Sequence, residues 1–352
     1  YEQALPVPSQ IAQNLASFYV QDDWKVTRRL TVQYGLRFEH YAKPYDATGF
    51  GMAIFDSSRY SNDPADLDEN TGVYWNKMDS SIPLSGSKSR FLFFSPRLGA
   101  AWDVFGTGKT VIRGGWGKYR FYDSVQSNNY TAPTQTAMGS VGWYCGQNDP
   151  LCPTWESIDA NALPAPVFGA GLGPGLKNIA VVDPNDDEQP LVTTYVFSID
   201  QKLPGKFLLE LSYVGNHSDF MQGNPNINAV PLHALFDATC DITTSGCQQL
   251  YRPYLNYQNM ATSLTAGKAR FDSLQVSLLR NVGFLTMQAN YTWSKALGVG
   301  PQIANGGLTG ALPGYGVDHY YGVLPSNRAH VLNLAYVLNL LSTTRGNPVI
   351  RG

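Results

Sequence analysis

The sequence predicts an all-β fold, and three features carry that expectation. Long stretches alternate apolar and polar residues with a period of two, the repeat of a strand whose side chains point to opposite faces. These stretches come in pairs joined by a few residues, and much longer polar connections separate the pairs. Charged residues make up only 15% of the 352 residues while aromatics reach 12%, against about 25% charged in an ordinary soluble domain. With a mean hydropathy of −0.21, the polarity must come from Ser, Thr, Asn, Gln and Gly. Together the three features predict an antiparallel transmembrane up-and-down β-barrel segment with short periplasmic turns and long extracellular loops, lipid on one face and a wet lumen on the other.

Each element follows from its own residues. The first pair occupies about 17–26 and 29–39. Leu30, Val32, Tyr34, Leu36 and Phe38 alternate there with Thr31, Gln33, Gly35, Arg37 and Glu39, and only Thr27, Arg28 and Arg29 separate the two strands. Such spacing is that of a tight antiparallel hairpin. Residues 40–89, rich in Asp, Asn, Ser and Gly, read as a long loop. The second pair, about 91–104 and 110–121, alternates Leu98, Ala100, Trp102 and Val104 with Arg97, Gly99, Ala101 and Asp103. Its returning strand carries Gly114, Gly115 and Gly117, which signal a bulge, a bend or the close approach of another backbone. After a loop over 122–188 the third pair spans about 190–201 and 207–215 around the turn LPGK. A loop over 216–270 precedes the fourth pair, about 272–280 and 284–295, in which Leu285, Met287, Ala289, Tyr291 and Trp293 alternate with Thr286, Gln288, Asn290, Thr292 and Ser294. A Gly-rich loop over 296–327 leads to a last strand at about 328–339. Trp24, Tyr41, Phe105, Trp116, Tyr119, Phe121, Trp293 and Tyr336 lie near strand ends, where aromatic girdles meet the lipid interface.

Other function classes find little support. A net charge of −2 leaves no electrostatic footprint for nucleic acid, and no run approaches the roughly 18 apolar residues of a membrane helix. GTGKT at Gly106–Thr110 lacks the leading glycine of a phosphate-binding loop, since Asp103 stands there, and a strand rather than a helix follows. GAGLGPG at Gly169–Gly175 lacks the strand-to-helix setting of a dinucleotide site. The acidic run Asp183–Glu188 offers carboxylates to Ca²⁺ without the spacing of a calcium loop, so a solvated loop end is expected. His40, His217, His233, His319 and His330 are dispersed, and neither H-E-x-x-H nor G-x-S-x-G occurs. No enzyme activity, metal or cofactor is expected. The cysteines fall in two close pairs without zinc spacing, so disulfides Cys145–Cys152 and Cys240–Cys247 in an oxidising compartment are expected, with free thiols as the alternative. On the lumen face Arg37, Glu39, Arg97, Asp103, Gln288 and Asn290 are candidates to meet a polar substrate or a plug, or simply to solvate the interior.

The segments SFYVQDDWKVTRRLTVQYGLRFE, FSPRLGAAWDVFGTGKTVIRGGWGKYR, TTYVFSIDQKLPGKFLLELSYVGNHS, FDSLQVSLLRNVGFLTMQANYTWSKALG and NRAHVLNLAYVLNLL resemble the barrel of bacterial TonB-dependent outer-membrane receptors, specifically the Oar-like subgroup. The resemblance implies translocation of a substrate (siderophore, oligosaccharide, peptide or protein) across the Gram-negative outer membrane. The implied partners are outer-membrane lipid and the TonB complex, the latter acting through an N-terminal part with a plug that this sequence does not contain. A passive porin, an adhesin-type barrel and a secreted carbohydrate-binding β-protein are the alternatives. Since such receptors use about 22 strands and the segment begins at Tyr1, residues 1–352 are expected to be a partial barrel lacking the plug and the remaining strands.

Overall fold

The computed structural model describes residues 2–4, 10–63, 71–122, 132–134, 136, 142–144, 177–236, 245–299, 317–339 and 349–351. Ten strands form its wall: β1 (Leu15–Lys25), β2 (Leu30–Tyr41), β3 (Phe93–Asp103), β4 (Thr110–Arg120), β5 (Leu191–Leu203), β6 (Phe207–Gly223), β7 (Tyr257–Val282), β8 (Leu285–Val299), β9 (His330–Asn339) and β10 (Val349–Arg351). Each is antiparallel to its neighbour in sequence, so the sheet is an up-and-down meander, and among the described residues it does not close on itself. The short turns use the backbone freedom of glycine where the chain must enter the left-handed region, at Gly205 (φ +75°) and Gly283 (φ +76°).

Register carries the alternation of single strands across the whole wall. Phe18 faces Phe38 and Phe38 faces Phe94; Tyr34 faces Leu98, Leu98 faces Trp116 and Trp116 faces Tyr195. Farther along, Phe197, Tyr213, Leu274, Trp293 and His330 stand in one row, with Ile199, Leu211, Val276, Tyr291 and Leu332 in the next. One face of the sheet is therefore apolar for its full width. Directly opposed side chains on one face touch, so these rows form a continuous apolar surface. It is also the exposed face, with Phe18 at 68% and Leu332 at 72%. The other face carries Ser198, Asp200, Ser212, Ser273 and Ser294, all buried. A sheet that shelters its small polar residues and exposes its large apolar ones is curled with the polar side inward.

Two departures from the alternation are satisfied locally. Asp22 stands on the apolar face and accepts a hydrogen bond from the Tyr34 hydroxyl at 3.1 Å. Asp272, on the same face nearer the long-connection end, accepts from Tyr195 (2.6 Å) and Tyr213 (2.7 Å) and pairs with Arg270 (2.6 Å). A carboxylate is tolerated beside hydrocarbon only with such partners.

The loops hold more structure than expected. Within 40–89 lie the strands Tyr45–Asp46, Ile54–Tyr60 and Thr71–Tyr74, and within 122–188 lie Gly142–Tyr144 and Lys177–Val182. β6 runs past the expected 207–215 through a register shift between Ser218 and Met221, and β7 begins well before the expected 272–280. β8 continues to Val299, inside the expected loop 296–327, where Leu297–Val299 pair with the short strand Tyr321–Val323. The early half of β7 is held by a parallel partner, since Lys177–Val182 pairs with Tyr257–Ser263, and Val182 in turn meets Ile54. No local periodicity announces a strand whose partner lies some eighty positions away in sequence.

This loop layer contains the apolar core. Ala53, Val73, Trp75, Ile179, Val181, Tyr257 and Met260 are buried together, with Phe55, Tyr60 and Tyr254 packed against them. Asn228, fully buried, closes one side: its amide nitrogen donates to the carbonyls of Tyr254, Tyr257 and Gln258, and its oxygen accepts from the Tyr254 N–H. Arg252 donates to the carbonyls of Asn228 and Gln258, and burial lowers its pKa. Among the described residues the wall has no such cluster, and its large apolar side chains are exposed.

Candidate functional site

The polar face of β1–β5 is the candidate site. Near the long-connection end, Glu39 (2% exposed) is the centre of a network. It accepts hydrogen bonds from Ser95 and from the Tyr41 hydroxyl (3.0 Å), and lies 3.2 Å from Arg37. Arg37 also donates to the Ser17 hydroxyl at 3.0 Å. Burying a carboxylate this fully requires several donors, and Glu39 is therefore a structural anchor. Asp103 has a comparable role at the opposite end of its strand, accepting from the N–H groups of Gly106 (3.0 Å) and Gly108 (2.9 Å) and fixing the GTGKT turn, after which strand β4 follows directly. Gln288 and Asn290 lie farther round the same polar face, Asn290 between Ser277 and Asn333 and Gln288 between Leu279 and Ala335, with no cluster of arginines about them among the described residues.

Arg97 differs from all of these. It faces Gly35 on β2 and Gly117 on β4, so neither neighbouring strand places a side chain directly opposite it. The next position along the strand repeats the pattern, with Gly99 between Gln33 and Gly115. Neither ladder shows a register shift here, so Gly99, Gly115 and Gly117 mark no bulge. They floor a depression. Beyond Gly117, Tyr119 lies under the Arg97 guanidinium at 4.4 Å, a cation–π stack. Toward β1 the depression opens into a recess of about 190 Å³ lined by Tyr19, Gln21, Arg37 and Arg97 over Gly35. Arg113, on the same face, pairs with Asp200.

At the rim the acidic run makes most of its contacts within the protein rather than with solvent. Asp186 pairs with Lys43 at 2.9 Å and accepts from the backbone N–H and hydroxyl of Thr265. Asp187 and Glu188 pair with Arg90, and Glu188 also with Arg120 at 3.2 Å. Burial lowers the pKa of Arg90, but the two carboxylates outweigh it and the net shift is upward. Arg90 and Arg120 both lie against the ring of Phe93, which is 2% exposed although it belongs to the polar face. The loop layer thus folds onto that face and ties β2, β3, β4 and β7 together at one place.

Of the aromatic girdle, Trp24, Trp116 and Trp293 are exposed on the apolar face, whereas Tyr41 and Tyr119 belong to the polar one. Among the histidines, His217 pairs with Asp219, His330 meets the Tyr291 hydroxyl and His40 the Phe91 carbonyl, all separate from one another. Cys247 is disulfide-bonded; Cys145, Cys152, Cys240 and the tract Gly169–Gly175 lie outside the described residues. Sequence patterning placed Arg97 on this face. The bare flanks that set it apart require the register of three strands.

A family model described as outer membrane beta barrel domain matches residues 2–349. No curated protein matches the sequence. Among solved structures, the siderophore receptor PirA from Pseudomonas aeruginosa is 10% identical over 93% of this chain and 34% of its own, with a TM-score of 0.40. The ferric-catecholate import receptor Fiu from E. coli K12 is 12% identical over 95% and 33%, with a TM-score of 0.40. The alcaligin outer membrane receptor FauA from Bordetella pertussis is 7% identical over 95% and 36%, with a TM-score of 0.40. The chain spans about a third of the length of these structures.

Proposed function

The chain belongs to the outer membrane β-barrel domain family and resides in the bacterial outer membrane, and from that premise we propose that it is part of the barrel of a TonB-dependent receptor that binds a solute and passes it across that membrane. The role is non-catalytic. One observation supports the reading above others: a polar inner face lies beside a loop layer with its own packed core, and the two are joined where Glu188 pairs with Arg120 on β4, over buried Phe93, and where Asp186 accepts from Thr265 on β7. Loops that only connect strands need no core of their own. Loops that capture a ligand benefit from being held in place beforehand, because ordering them on binding would cost affinity.

The reading is tested on the full-length protein with two measurements. It is expected to retain the purified periplasmic domain of TonB on an affinity column and to give no steady conductance in a planar bilayer. An open, ohmic pore that does not retain that domain would make it a passive porin.

A further inference from the structure

We propose that the glycine-floored depression around Arg97 is a binding subsite for an oxyanion, the carboxylate or phosphate of a passing solute. The inference rests on the reading of the polar face as a solute path and names the charge of the solute that path accepts. Three features carry it.

First, Arg97 is exposed on the lumen side and, among the described residues, has no carboxylate partner, whereas Arg37 is paired with Glu39 and Arg113 with Asp200. A guanidinium presents donors in a planar fork that matches an oxyanion two bonds at a time. Second, the space around it is built by sequence. Gly35 on β2 and Gly115 and Gly117 on β4 remove side chains from the neighbouring strands, and Gly99 removes the next one on its own strand. At Gly117 an added Cβ would lie 3.1 Å from the Tyr119 ring and 3.3 Å from the Arg97 stem, and at Gly35 it would lie 3.0 Å from the Gln21 Cβ. Side chains at these positions would displace the stack or fill the recess. Third, the stack on Tyr119 fixes the stem and ring while the guanidinium edge stays open. A fixed cation loses less on binding than a mobile one. Arg37, held by Glu39 and Ser17, borders the same recess, its charge offset by the Glu39 carboxylate.

The test reads that potential directly. Gln33, exposed on the same face beside Gly99, is replaced by cysteine (Gln33→Cys) in the full-length protein in whole cells, and the rates of modification by an anionic and a cationic methanethiosulfonate reagent are compared. Asp23, exposed on the same face directly opposite Gln33, favours the cationic reagent, so the contribution of Arg97 is read from the change in each rate rather than from their order, and Arg97 is expected to speed the anionic reagent. Arg97→Gln should slow it and speed the cationic one by roughly threefold each, the effect of one unit charge about 7 Å away in a largely aqueous setting. Arg97→Lys should leave both rates near those of the protein with Arg97, and inorganic phosphate should slow the anionic reagent selectively. Rates that Arg97→Gln leaves unchanged would overturn the proposal. Failure of both reagents to reach the introduced thiol would also overturn it, because the depression would then be filled by protein, for instance by a carboxylate of the receptor itself. None of these outcomes bears on TonB retention, so the subsite and the transport reading can fail separately.

Discussion

Replacing Asp186 by Ala is expected to loosen the loop layer by about 3 to 5 kcal/mol, the cost of stranding one partner of a buried ion pair. Lys43 is 4% exposed and Asp186 11%, so the ammonium left behind has little access to water. The substitution also removes the acceptor for the N–H and hydroxyl of Thr265 on β7. The neighbouring pair is the control. Arg90 and Asp187 are 38% and 42% exposed, and an exposed pair contributes about 0 to 1 kcal/mol. Because local opening is set by local stability, limited trypsin digestion of the full-length protein should cut the loop layer of Asp186→Ala at a much lower temperature than wild type. Asp187→Ala should behave nearly as wild type. Equal behaviour of the two variants would mean that the Lys43–Asp186 pair does not hold the layer.

Leu98→Arg is expected to cost about 2 to 4 kcal/mol, the penalty for an arginine on the lipid face near the bilayer midplane, and Gln33→Arg far less. Leu98 is 56% exposed at the middle of the apolar face, between Tyr34 and Trp116. Tyr34 is a poorer position for the same substitution, because Asp22 lies opposite it and would pair with the new cation. Gln33 belongs to the wet face. The difference is read from urea unfolding of the two full-length variants in lipid vesicles. Equal destabilisation would mean that the two faces meet the same medium.

Why the wall was legible in the sequence and the loop layer was not follows from where the physical signal resides. A strand with lipid on one side and water on the other must alternate, so Leu30 to Phe38 and Leu285 to Ser294 state their own faces. In Tyr257–Ser263 the buried residues are Tyr257, Met260, Thr262 and Ser263, which follow no period of two, and Ile179 and Val181 of the partner strand are buried with them. Their partners are distant in sequence, so neither propensity nor period marks them. The site divides in the same way. Arg37, Glu39, Arg97 and Asp103 were assigned to one face by parity alone. That Glu39 and Asp103 are structural while Arg97 has no carboxylate partner among the described residues depends on what Ser95, Tyr41, Gly106 and Gly35 bring beside them. The acidic run Asp183–Glu188 suggested a solvated end because its partners Lys43, Arg90 and Arg120 are contributed by other segments.

The central claim is that one face of this sheet meets lipid and the other meets water, and a spin-label scan of β7 from Phe271 to Leu279 in the full-length protein, reconstituted in vesicles, tests it most directly. Labels at Leu274, Val276 and Leu278 should be relaxed strongly by oxygen, which concentrates in the bilayer, and weakly by a water-soluble nickel chelate. Labels at Ser273, Gln275 and Ser277 should show the reverse, so that the two profiles oscillate with a period of two residues and opposite phase. Profiles without that period, or oscillating in phase, would contradict the account.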